Sequence, residues 1–158
     1  MSDLQTQFDH LISEHQRIRA EFQKSAQELF KNITKEFFAT NPGIKAAIWT
    51  QYVPSFNDGD ACEFTIGDIT FTNATGTDLD DVSTYGEYEG ENEEVKVFSS
   101  WSLKNDPVVG VDSIQVKLME TMVNSRDMEN VLEEMFGRHV KIIATSDGFD
   151  VTDYDCGH

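Results

Sequence analysis

Several clusters of side chains in this sequence have the types and spacing that chemistry needs. Asn57-Asp58-Gly59-Asp60, with Glu63 close behind, offers oxygen ligands for a hard cation. A calcium-binding hand sets acids at alternate positions, then Gly, then Glu six residues on. Here Gly59 falls too early, so the simpler expectation is an Asp-Gly turn with exposed acids, and no resident metal. Cys62 and Cys156 are the only cysteines. With His158, and with His139 as a further candidate, they would make a zinc set only if two distant hairpins met. No C-x-x-C spacing supports that. Cys62 reads as an ordinary strand residue, and neither a cofactor nor a disulfide is expected. The remaining histidines, His10 and His15, fall on one helix. No phosphate loop, nucleophile elbow or His-Glu-x-x-His run is present, so the chain is expected not to be an enzyme. Trp49, Tyr52 and Phe56 could line a ligand pocket, but aromatics in this setting more often anchor core and loops.

Charge is the strongest chemical signal. The 158 residues hold 29 acids and 12 bases, a net charge of −17. Residues 1–52 balance six acids (Asp3, Asp9, Glu14, Glu21, Glu28, Glu36) against six bases (Arg17, Arg19, Lys24, Lys31, Lys35, Lys45), so the whole excess lies beyond them. Its densest part runs through Asp78, Asp80, Asp81, Glu87, Glu89, Glu91, Glu93 and Glu94, with Glu129, Glu133 and Glu134 later on a helix. Such a surface repels phosphate, which excludes direct nucleic-acid binding through a basic face and argues against anionic membranes. It suits a partner protein with a basic surface. Duplex DNA carries one charge per about 1.7 Å, so 17 charges match about 30 Å of duplex. The chain could then act as a nucleic-acid mimic that blocks a DNA-acting defence or nuclease. The plainer account is that acidity keeps the protein soluble.

The elements that must position these groups follow from periodicity. Leu4, Phe8, Leu11, His15, Ile18, Phe22, Ser25 and Leu29 step by four and three, a heptad seam of about three heptads. Residues 1–40 therefore read as one long helix and a candidate coiled-coil arm. Leu4, Phe8, Leu11, His15, Ile18 and Phe22 are its dimerisation residues if two copies pair. From Phe22 onward the apolar set widens to Leu29, Phe30, Ile33, Phe37 and Phe38, as for packing on a sheet. Asn41-Pro42-Gly43 stops the helix.

Residues 41–158 read as a single α+β domain. Ile44–Val53 and Cys62–Phe71 have strand character, the second interrupted at Gly67-Asp68. Residues 73–93 read as a long, exposed acidic connection. Val95–Leu103 reads as a third strand, although Phe98 and Trp101 also fit helical spacing. Val111, Ile114, Leu118 and Met122 mark a helix after Asn105-Asp106-Pro107. Ser125 caps another, with Met128, Val131, Leu132, Met135 and Phe136 inward and Gly137 at its end. His139–Thr145 and Phe149–Tyr154 flank Ser146-Asp147-Gly148 as a hairpin. The expected fold is a long N-terminal helix and an antiparallel sheet of four to five strands in two hairpins, with two further helices packed on it.

Two stretches carry a resemblance. Trp49-Thr50-Gln51-Tyr52-Val53-Pro54-Ser55-Phe56-Asn57-Asp58-Gly59-Asp60-Ala61-Cys62-Glu63-Phe64 resembles the signature of an uncharacterised family of small tailed-bacteriophage proteins. Phe136-Gly137-Arg138-His139-Val140, followed by Asp147-Gly148 and Asp153-Tyr154-Asp155, resembles the family's strand-turn-strand ending. The resemblance implies phage origin and action inside an infected bacterium, and implies no activity. The expected location is cytoplasmic. Met1-Ser2-Asp3-Leu4-Gln5 lacks the basic and apolar regions of a signal peptide, and no apolar run approaches a membrane span. The two functional expectations are a non-enzymatic acidic protein that binds a host protein, and a homodimeric assembly module whose arm does the binding.

Overall fold

The computed structural model describes residues 2–53, 63–84 and 86–154. It is an α+β fold with a long N-terminal helix and a fully antiparallel sheet. Helix α1 runs from Ser2 to Thr40, 39 residues or about 58 Å at 1.5 Å per residue. Strands β1 (Ala46–Tyr52), β2 (Thr65–Ile66), β3 (Thr70–Thr72), β4 (Val97–Phe98), β5 (Val140–Thr145) and β6 (Gly148–Asp153) form one sheet. Its order is β4-β3-β1-β5-β6, with β2 paired to the far end of β1 beyond β3. The interruption at Gly67-Asp68 separates β2 from β3, and the Gly67 amide still bonds to the Thr50 carbonyl at 2.9 Å.

Strand β1 is the centre of the sheet and is buried on both faces, which explains its nearly unbroken apolar run. Successive side chains alternate between faces. Ala47 and Trp49 join Phe71, Phe98, Ile142 and Ala144 on one face, beneath Phe30, Phe37 and Phe38 of α1. Phe30 meets Trp49 edge-on at 6.3 Å and stacks on Phe149 at 5.7 Å. Ile48 and Ile143 point to the other face and pack with Ala74, Leu79, Val82, Tyr88 and Val95.

That second cluster changes the reading of the acidic connection. Residues 73–93 contain a helical turn, α2 (Gly76–Asp80), and a bridge between Val82 and Tyr88. The segment is laid over the sheet because Leu79, Val82 and Tyr88 seat apolar surface there, which outweighs the mutual repulsion of its acids.

The expected third strand is also shorter than its sequence pattern suggested. Pairing stops at Phe98, and the chain turns into helix α3 (Ser100–Leu103). Ser99 causes the change: its side chain accepts from the Ser102 amide while the Ser102 hydroxyl accepts from the Ser99 amide, a capping box. Helix α4 (Ser113–Val123) begins after Asp112, whose carboxylate accepts from the Ile114 amide, and not at the Asn105-Asp106-Pro107 signal. Ser125 caps a 3-10 turn, Arg126–Met128, that leads into α5 (Glu129–Phe136). Gly137, at φ 91°, ends α5 in a conformation that costs a glycine little.

The junction of α1 with α4 is built from one side chain. Asn41 is fully buried: its Nδ2 donates to the Phe37 carbonyl and to Gln115, and its Oδ1 accepts from the Asp112 amide at 2.7 Å. Gly43 lies against this contact, and a Cβ there would come within 2.5 Å of the Val109 carbonyl oxygen.

Candidate interaction surfaces

Helix α1 has two apolar faces with different fates. From Asp3 to Phe22 every residue is exposed except half-buried Glu14. The seam residues Leu4, Phe8, Leu11, His15, Ile18 and Phe22 all face solvent, and so does Leu29. Phe22 is 65% exposed while Phe30 is 1% exposed. The body is met by Phe30, Thr34, Phe37 and Phe38, with Gln23 also buried. At 100° per residue this buried set is centred about 120° around the helix from the seam, a neighbouring face and not the same one. The widening seen from Phe22 onward is therefore two faces and not one broad face, and Phe22, Leu29 and Ile33 do not join the core.

The flanks of the arm are braced within the helix. Arg17 donates to Glu14 at 2.7 Å and to Glu21 at 3.0 Å, and these partners hold its guanidinium above its ordinary pKa. Pairs at these spacings support an exposed helix weakly.

At the root of the arm the uncovered surface continues onto α4. Ile114 is 71% and Leu118 63% exposed, whereas the residues of α4 that enter the core are Val116, Met119 and Val123. Ile114 and Leu118, two of the residues whose period marks this helix, point outward. Ile33, Phe37, Leu118, Met119 and Met122 line a groove of about 340 Å³ between the two helices, edged by Glu36, Thr40 and Gln115. Ile12, Ile33, Ile114 and the groove were missed as interaction residues. Their apolar character was visible, but the helix that leaves them uncovered was not.

The acids divide into two groups. Asp78 accepts hydrogen bonds from the Tyr88 hydroxyl and the Asn92 amide group, both at 2.9 Å. Desolvation of the half-buried Tyr88 phenol, with its bond to Asp78, pushes that hydroxyl above its usual pKa. Asp80, Asp81, Glu87, Glu89, Glu91, Glu93 and Glu94 are exposed, and among the described residues none of them is in an ion pair. Glu129, Glu133 and Glu134 ride on α5, whose Leu132 packs with Trp49 on the opposite face of the sheet. Glu133 is also paired with Arg138 at 2.8 Å. The segment that carries the 78–94 acids packs on the Ile48 face of the sheet, and the helix that carries Glu129, Glu133 and Glu134 packs on the Trp49 face.

The remaining candidates separate plainly. Trp49 is core, its Nε1 donating to Gln51, whose own amide reaches the Leu132 and Gly137 carbonyls at 3.0 Å each. Tyr52 is half-buried beside Tyr154, 5.9 Å between ring centres. His10, His15 and His139 are exposed, and Glu63 is too. Phe56, Asp58, Asp60, Cys62, Cys156 and His158 lie outside the described residues. Among the described residues no three His, Cys, Asp or Glu side chains converge as a metal cluster would. No helix among them is long and apolar enough to cross a membrane. Compared with protein-family models, curated proteins and solved structures, the chain has no match.

Proposed function

We propose that this chain is a non-enzymatic protein-interaction module that self-associates through its N-terminal helix. The observation that carries this reading is the heptad seam, Leu4 to Leu29, which is exposed to solvent along its whole length. A monomer rarely leaves a contiguous apolar patch larger than a few hundred Å² in water. Covering this seam on each copy removes roughly 600–800 Å², near the about 800 Å² per partner of a standard stable interface. Sedimentation equilibrium over a range of concentrations tests it. The wild-type chain is expected to be dimeric, and Phe8→Asp or Ile18→Asp to be monomeric with an unchanged circular dichroism spectrum in the sheet region. A wild-type monomer at all concentrations overturns the proposal.

A second reading concerns the acidic face, and one observation favours it. The acids of 78–94 stand on a segment anchored to the sheet by Val82 and Tyr88 and tied by Asp78 to Asn92, so their carboxylates are held on a scaffold. Such a face can meet a basic groove on a host protein and compete there with duplex DNA, as a nucleic-acid mimic does. The likeness of the Trp49–Phe64 motif to small tailed-phage proteins supports an infected bacterial cell as the setting. Capture of bacterial DNA-acting proteins, released by competing duplex DNA and by salt, supports the reading. Binding indifferent to both refutes it.

A further inference from the structure

Self-association through α1 can run in either of two directions, and the seam, the charge and the placement of the body distinguish them. Resting on the self-association proposed above, we infer that two copies pair arm to arm in antiparallel orientation, Leu4 of one beside Leu29 of the other. The same register sets Phe8 opposite Ser25, Leu11 opposite Phe22 and His15 opposite Ile18 of the second copy.

The composition of the seam is the first reason. Written as heptads, Phe8, His15, Phe22 and Leu29 occupy the a positions, and Leu4, Leu11, Ile18 and Ser25 the d positions. Parallel dimers favour β-branched residues at a with Leu at d. No a residue here is β-branched. A parallel, in-register pair would also stack each residue on its own copy, Phe8 on Phe8, His15 on His15 and Ser25 on Ser25. The antiparallel register places all eight positions a against d, with the bulky Phe8 over the small Ser25 and the polar His15 against Ile18. Sliding by one heptad toward the body spoils this, because it sets Leu4 against Glu36 and Phe8 against Asn32.

The distribution of charge is the second. The arm, residues 1–40, carries a net charge of only −1, and the remaining −16 falls on the body. Parallel arms bring two such bodies together at one end. Antiparallel arms hold them apart by the length of the seam, about 38 Å between Leu4 and Leu29, which is several Debye lengths of about 8 Å at physiological salt. The one cross-helix ion pair that parallel arms offer, Glu14 with Arg19 of the second copy, competes with the existing Glu14–Arg17 pair at 2.7 Å.

The third is the surface at the root of the arm. The seam residues are exposed along the arm and lie on a different face from Phe30, Thr34 and Phe38, so a second helix can lie along them as far as Leu29. One turn further stand Ile33 and Leu118 with the apolar groove. The uncovered surface therefore continues past Leu29, where the second copy's helix begins.

Distances between spin labels on the full-length chain test the direction. In a Cys62→Ser, Cys156→Ser background, single labels at Thr6→Cys and, separately, Lys31→Cys occupy exposed positions. Antiparallel arms predict axial separations of about 32 Å for residue 6 and about 44 Å for residue 31. Parallel arms predict less than about 20 Å at both, since neighbouring helix axes are about 10 Å apart. Long distances at both sites support the inference. A dimeric mass with short distances overturns the direction and leaves self-association standing. A monomeric mass with no measurable distance overturns both.

Discussion

Phe22 and Phe30 are eight residues apart on one helix, and they should respond oppositely to mutation. Burying a whole Phe side chain contributes about 1.5–3 kcal/mol. Phe22 is 65% exposed, so covering it in a dimer is worth about 1–2 kcal/mol per copy and about 2–4 kcal/mol per dimer. At 1.4 kcal/mol per tenfold, Phe22→Asp should weaken dimerisation by about 30-fold at least, with the cost of placing a carboxylate against the seam in addition. The stability of the isolated protomer should move by no more than about 0.5 kcal/mol, as for other surface changes. Phe30→Ala should do the reverse. Phe30 is 1% exposed between Trp49 and Phe149, and emptying such a site costs about 3–5 kcal/mol of unfolding free energy. Sedimentation equilibrium reports the first effect, and urea denaturation at concentrations below the dimer constant reports the second. If Phe22→Asp destabilises the protomer by several kcal/mol, Phe22 packs on its own body and the two-faced description of α1 is wrong. If it leaves the dimer constant untouched, the seam is not the interface.

Other consequences concern how the body is held. Gln51→Leu would leave the Trp49 Nε1 and the Leu132 and Gly137 carbonyls without their partner, at a cost of about 2–4 kcal/mol in urea denaturation. Asn41→Ala should cost about 2 kcal/mol and raise amide exchange at Asp112 and Ile114, because the Asn41 side chain joins α1 to α4. Tyr88 contributes through its neutral form: its folded pKa is raised above the ordinary 10.0. Its stabilising effect is therefore full below pH 10 and fades as pH rises through the folded value. Amide exchange in the 76–95 segment should accelerate above that pH, and Tyr88→Phe should remove that dependence while loosening the segment at neutral pH.

The legible parts of the fold were those fixed locally. The Asp147-Gly148 turn announces the β5–β6 hairpin, Ser125 announces the start of the α5 region, and the apolar run of β1 announces a central strand. What sequence could not assign was which apolar face goes inside. In α1 and in α4 the most regular period, Leu4 to Leu29 and Ile114 with Leu118, is the uncovered one. The core takes Phe30, Thr34, Phe37 and Phe38, and Val116, Met119 and Val123. Periodicity reports that a face is apolar; only the tertiary partner decides whether it is covered. The acidic segment misled for a related reason. Its carboxylates dominate the composition, but Leu79, Val82 and Tyr88 decide its placement through contacts with Ile48 and Ile143, which are distant in the chain.

The separation of a nearly neutral arm from a strongly acidic body makes salt an informative variable. Binding of the 78–94 face to a basic partner releases counterions and weakens steeply as salt rises, as it does for DNA itself. Arm pairing should behave differently. In antiparallel arms the two bodies stand beyond the range of screened repulsion, and the seam is apolar, so the dimer constant should change by less than about threefold between 50 and 500 mM salt. Parallel arms would hold two bodies of charge −16 side by side, and added salt would relieve that repulsion and tighten the dimer markedly. A dimer strengthened tenfold or more by salt would mean that the bodies meet, and the antiparallel arrangement would have to be abandoned whatever the seam residues do.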